Sequence, residues 1–213
     1  TTAYQMLRSL VGSEMCIRDR FLAGQIANDL TENFEDWYPT IVIWFLALAL
    51  LLNYEDDRVL LGLKNRGLPG NLAISISVGL VVLFGAAGIF DPLNQRAVSL
   101  FVIGTLYNLS REIIKDVEDM DGDKGRHTYA MRVGADKARL TSWVILLITL
   151  VALLTPFAMG VFELLHIIFL APGLFTLMNV KKHIYLAEDT AASRMIKTSM
   201  TLTMIGLILA AII

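Results

Sequence analysis

Apolar and polar positions follow one another along this chain in long blocks rather than in short periods. Six blocks are almost free of charge: Trp37–Tyr54, Leu72–Phe90, Ala97–Ile114, Leu140–Gly160, Leu164–Val180 and Thr198–Ile213. Each is 16 to 21 residues long, against the ~20 helical residues that cross ~30 Å of hydrocarbon. None carries the polar stripe by which a soluble helix keeps one face in water. Inside lipid a chain must satisfy its backbone N–H and C=O groups internally, so blocks of this kind predict helices. Trp37, Tyr38 and Tyr54 flank the first block, as amphipathic rings do at a membrane interface. The predicted fold is an all-α, polytopic transmembrane helical bundle.

The segments between blocks set an orientation. Asn53–Asn71 holds Arg58, Lys64 and Arg66; Arg111–Arg139 holds seven basic residues and Lys181–Lys197 four. The alternate segments hold one, Arg96. Basic residues gather on the cytoplasmic side of membrane proteins, so the Lys64, Lys124 and Lys181 segments are expected there together. Composition agrees with this class: 55% of the 213 residues are hydrophobic, with mean hydropathy +0.61. The net charge of −2 names no partner beyond the lipid bilayer, and no nucleic acid is expected. The single cysteine, Cys16, excludes an internal disulfide framework. Val11–Arg20 resembles the conceptual translation of a transposase adapter used in DNA sequencing. Residues 1–20 are therefore an expected artefact set outside the fold, which leaves 21–213 as the membrane domain.

Chemistry concentrates in the acidic run Asp116-Val117-Glu118-Asp119-Met120-Asp121-Gly122-Asp123, at the end of an apolar block. Taken as a helix from Asn108 to Asp123, it places Asp116, Asp119 and Asp123 within an arc of about 60°. Glu112, Asn108 and Lys115 extend that stripe. Clustered carboxylates repel one another; a divalent cation resolves this, and all-oxygen ligands suit Mg²⁺. Arg111, Lys115, Lys124 and Arg126 surround the run. Carboxylates, Mg²⁺ and basic side chains together form an arrangement for holding a diphosphate. A solvated acidic loop is the bland alternative. An EF-hand does not fit: with Gly122 at loop position six, Val117 and Thr128 fall where carboxylates are needed.

The run Tyr107–Asp123 resembles the second aspartate-rich motif of the UbiA superfamily of membrane prenyltransferases, and its Ser-Arg-Glu-Ile-Ile-Lys-Asp form resembles that superfamily's archaeal ether-lipid branch. Leu63–Asn71 is similar to the loop carrying the family's Leu-Lys and Gly-Asn signatures, His127–Gly134 to the stretch after the second motif, and Lys197–Met200 to the start of the last helix. The resemblance implies about nine spans, of which six are present, and Mg²⁺ as cofactor. It implies transfer of a geranylgeranyl group from its diphosphate to geranylgeranylglyceryl phosphate. Asp116, Asp119 and Asp123 are then the metal ligands, and Lys64, Asn108, Arg111 and Lys115 the substrate contacts; Asp116, Asp119 and Lys64 carry the catalysis. An aromatic acceptor, as in quinone synthesis, is the alternative within the family. A transporter with an acidic vestibule is the alternative outside it, and it should show charges or breaks inside the spans.

The chain departs from the family pattern in three places. The family's first aspartate-rich motif reads roughly Asn-Asp-x-x-Asp-x-x-x-Asp. Asn28–Asp36 copies that spacing, with Glu32 replacing an aspartate. By span count, however, it lies on the opposite side of the membrane from Asp116, so it is read as a decoy. The helices bearing the true first motif are expected ahead of Phe21, and this chain alone is expected to be inactive. Tyr54 is followed by Glu55 where the family has serine. Elsewhere His166 and His183 read as interfacial residues, and Gly85 and Gly88 as sites of close helix packing.

Overall fold

The computed structural model describes residues 34–55, 62–120, 122 and 127–212. Among the described residues seven α-helices run in order: α1 (Phe34–Glu55), α2 (Leu68–Ala87), α3 (Gln95–Glu118), the short α4 (Tyr129–Val133), α5 (Ala135–Ala158), α6 (Ala171–Tyr185) and α7 (Asp189–Ile212). Leu63–Asn65 and Leu164–Leu170 form 3₁₀ turns ahead of α2 and α6. Among the described residues six helical stretches are long and apolar enough to cross a membrane, with Leu164–Tyr185 counted as one. This is the multi-pass helical bundle that the apolar blocks predict. Large apolar side chains point outward, among them Phe175, Val151 and Ile212; in water they would form a sticky surface, in lipid they face their own solvent.

α3 is the central helix, packed on α2, α5 and α7, while α1 touches only the α2 side of the bundle. Of the spanning window, 56% is buried for α3 and 11% for α1. The main core joins α3, α5, α6 and α7 through Ile103, Tyr107, Leu146, Leu153, Leu177 and Ile196. Packing here cannot lean on expulsion of water, so small residues and buried hydroxyls hold the helices together. Ser110 and Ser142 join α3 to α5, their hydroxyls 2.7 Å apart and Ser142 Oγ donating to the Ser110 carbonyl. The Tyr107 hydroxyl bonds with Ser199 and Thr203 of α7, at 3.0 and 3.2 Å, and Ser199 Oγ donates to the Gly173 carbonyl of α6.

Three sequence expectations change. The helices run further at their polar ends than the apolar blocks do: α7 begins at Asp189 and α5 at Ala135, because helical turns continue into the interface where water satisfies their ends. Gly85 and Gly88 are not packing sites; a Cβ at Gly85 would meet nothing. The close approaches are at Gly79 against Thr105 and Phe101, Gly173 against Thr203, and Gly206 against the Phe169 carbonyl. Finally, the helix taken to reach Asp123 ends at Glu118, with Asp119 as its C-cap. Carboxylates at a helix C-terminus oppose the macrodipole, and Gly122 follows. The shared arc therefore holds for Asp116 and Asp119, whereas Asp121 and Asp123 lie outside the described residues. So do residues 1–33, including the adapter-like stretch and most of the decoy motif.

Candidate active site

The site begins in the loop before α2. Gly62 sits at φ 53°, ψ 49° and Gly67 at φ 70°, ψ −125°, conformations that side chains resist. Between them Asn65 N donates to Gly62 O at 3.1 Å and Arg66 N to Leu63 O at 3.0 Å. The loop folds onto α2 so closely that the Leu63 carbonyl lies over Gly70, where any Cβ would collide with it. Lys64 is thereby held beside the N-terminal end of α2, a helix with no acidic residue in its first turn. The helix dipole puts partial positive charge at that end beside Lys64, although Gly70 N and Asn71 N both donate to the Gly67 carbonyl and Pro69 has no N–H.

The acidic partner comes from α3. Asp116 is half-buried on the side facing α2, and Asn71 Nδ2 donates to its Oδ2 at 2.7 Å. Asn71 is only 8% exposed. Two turns deeper, Asn108 Nδ2 reaches Ser75 Oγ at 3.4 Å, and Ser75 Oγ donates to the Asn71 carbonyl at 2.6 Å. Asp116, Asn71, Ser75 and Asn108 form a polar seam between α2 and α3, about 12 Å long at the rise of a helix. It runs from the open end of the bundle into its apolar interior.

The other predicted site residues divide. Asp119 caps α3 one turn beyond Asp116 and is exposed. Arg111 lies about 140° around the helix from Asp116; its Nη1 pairs with Glu112 at 2.9 Å, and its Nε is buried without a partner. Lys115 Nζ stands 3.7 Å from the same Glu112. Both cations thus gather on Glu112 at the edge of the seam. Glu118 faces the far side of α3, accepting from Thr190 at 2.8 Å. There it borders a separate cavity of about 700 Å³, where Arg139 grips Asp189 through two hydrogen bonds of 2.8 and 2.6 Å. His183 meets Glu188 at 2.6 Å and His166 the Ala210 carbonyl at 3.3 Å.

The donor set fits Mg²⁺ in its usual form. That ion takes one or two carboxylates and completes its octahedron with water and substrate phosphate oxygens. Asp116 and Asp119 are two carboxylates at the open end of the seam that could serve such an ion. Among the described residues no group of three or more acidic, histidine or cysteine side chains converges as a protein cage would require. Asn71 is the residue that sequence reasoning missed. It ends the Gly-Asn pair of the Leu63–Asn71 loop, and only its contact across 45 residues gives it a role.

Several known proteins are similar to this chain. Digeranylgeranylglyceryl phosphate synthase of Haloquadratum walsbyi is 34% identical over 137 residues, covering 62% of this chain and 46% of that protein. The enzyme of the same name from Methanosarcina mazei is 34% identical over 150 residues, covering 68% and 52%. That from Korarchaeum cryptofilum is 30% identical over 195 residues, covering 81% and 67%. The chain spans about half the length of most of the curated relatives it matches. A solved structure from work on digeranylgeranylglyceryl phosphate synthase in membranes shares the fold at TM-score 0.67 and 22% identity, over 81% of this chain and 61% of the other. Residues 38–205 match the UbiA prenyltransferase family. With its acidic motif closing α3 against α2 inside a bundle of six membrane-spanning helices, the chain belongs to that family.

Proposed function

We propose that the protein transfers a geranylgeranyl group from geranylgeranyl diphosphate to geranylgeranylglyceryl phosphate, forming an archaeal ether lipid at the cytoplasmic face of the cell membrane. The observation that carries this reading is the Asn71–Asp116 contact, which brings the acidic motif to the N-terminal end of α2 beside the Lys64 loop. The names of the relatives support the substrates, and the basic segments at this end of the bundle support the side. Mg²⁺ held by Asp116 and Asp119 would neutralise the leaving diphosphate. Lys64 shares that charge beside the positive end of the α2 dipole. Asn71 keeps the Asp116 carboxylate turned toward the mouth. The apolar interior beneath Asn108 excludes water, so the allylic carbon is attacked by the acceptor hydroxyl rather than by solvent. The C–O bond to diphosphate breaks with its electron pair leaving on oxygen; the new ether bond forms as the hydroxyl proton passes to the departing diphosphate.

The test uses the protein expressed from its full reading frame, in membranes with labelled donor, acceptor and Mg²⁺. Asp116→Asn and Asp119→Asn should each lower transfer by orders of magnitude while insertion stays normal. Activity within about twofold of wild type in both variants would refute the assignment. The 213-residue chain expressed alone should form no product. Robust product lost on Asp29→Asn would instead make Asn28–Asp36 the partner motif.

A further inference from the structure

Two surface segments that are far apart in sequence lock together over the mouth of the site. One is the loop 62–67 that carries Lys64; the other is α4, just after the acidic motif. α4 is firmly seated: Thr128 caps it by accepting from Met131 N, Tyr129 Oη meets Thr141 Oγ1 of α5 at 3.0 Å, and Ala130 is fully buried against α3 and α5. The loop rests on this seat. At Gly67 a Cβ would come within 3.2 Å of the Tyr129 Cα and 3.3 Å of its N, so backbone meets backbone. Arg132 then reaches across, its Nη2 donating to the Asn65 carbonyl at 3.2 Å, with its stem lying along Gly67. The acceptor is the carbonyl of the residue next to Lys64.

We propose that Arg132 is a positioning residue: by clamping the Asn65 carbonyl to α4 it fixes where Lys64 stands relative to Asp116, and so sets the affinity for the diphosphate substrate. This rests on the function proposed above. Arg132 is exposed, so replacing it leaves the bundle core untouched. A hydrogen bond from a guanidinium to a carbonyl governs the loop's docking by about tenfold. The clamp also explains why the motif that supplies the carboxylates is followed at once by a helix too short to span anything. That helix is the anchor for the cationic loop.

The experiment has two arms. In the first, the 213-residue chain in detergent is treated with a lysine-specific endoprotease and cleavage after Lys64 is timed. Arg132→Ala should speed that cut about tenfold, and Arg132→Lys, which keeps a donor, should restore most of the protection. In the second, the protein from its full reading frame is assayed for transfer. Arg132→Ala should raise KM for the prenyl diphosphate about tenfold with kcat within about twofold, and Arg132→Lys should recover KM. Unchanged cleavage in Arg132→Ala overturns the clamp, including the case where KM rises because Arg132 touches substrate directly. Faster cleavage with unchanged KM overturns its role in positioning Lys64. Should the wild type transfer no prenyl group, the proposed reaction fails, and the cleavage arm still decides the clamp.

Discussion

Asn71→Ala tests the seam at its shortest contact. The substitution removes the amide that donates to Asp116 Oδ2 at 2.7 Å from a position 8% exposed. A hydrogen bond to a charged group contributes about 1.5–3 kcal/mol, whereas polar pairs between membrane helices average ~0.6 and reach ~1.7. The contact lies at the water-facing end of the bundle and joins an amide to a carboxylate, so about 1–2 kcal/mol of bundle stability is expected to go. The functional loss should be larger, because a partner that orients a metal-binding carboxylate typically changes metal affinity or activity by ~10–100-fold. Asn71→Asp is the sharper variant. It keeps the size but sets a second carboxylate where the donor was, and two like charges at that separation cannot both ionise cheaply. Thermal unfolding of the chain in detergent reads the first effect. Mg²⁺ titration of prenyl transfer by the protein from its full reading frame reads the second. If both variants unfold and titrate with Mg²⁺ as the wild type does, the seam has no part in metal binding and the site is misplaced.

Three further outcomes follow from the same contacts. Gly173→Val should force α6 and α7 apart, since even a Cβ there meets the backbone and hydroxyl of Thr203; a loss of about 1–3 kcal/mol, read by thermal unfolding, is expected, and an unchanged midpoint would contradict the packing. Arg139→Ala and Asp189→Ala each leave one member of a pair whose side chains are 17% and 13% exposed. Each should destabilise by about 1–3 kcal/mol, with the double variant close to either single one; strict additivity would mean the pair is not coupled. Cysteines replacing Asn94 and Lys124 should be respectively labelled by and protected from an impermeant thiol reagent in intact cells, and the reverse pattern would invert the topology.

How much was legible beforehand depended on what enforces each feature. The spans were, because lipid leaves a backbone no option but the helix. Their polar ends were not: Asp189–Lys197 reads as a loop by composition and is helical because it packs beside α3 and α5, where Asp189 finds Arg139 and Thr190 finds Glu118. Asp116 and Asp119 stood out as charges that an apolar helix has no structural reason to carry. Arg111 stands about 140° around α3 from Asp116, as the helical period requires, and pairs there with Glu112. Asn71 was hidden because an asparagine after glycine and before an apolar run looks like a turn residue. Its chemistry is created by a helix 45 residues later.

The central position of α3 bears on how the protein is made. α3 is the least apolar of the six spanning stretches. It carries a tyrosine, an asparagine and a serine whose side chains are bonded to three different helices. During synthesis only one of those partners, α2, has already left the ribosome when α3 reaches the insertion machinery; α5 and α7 follow later. A span with three polar groups and one available partner partitions poorly into lipid by itself. The hydrogen bonds to α2, α5 and α7 therefore do for α3 what apolar side chains do for the other spans: they make its place in the bilayer depend on its neighbours.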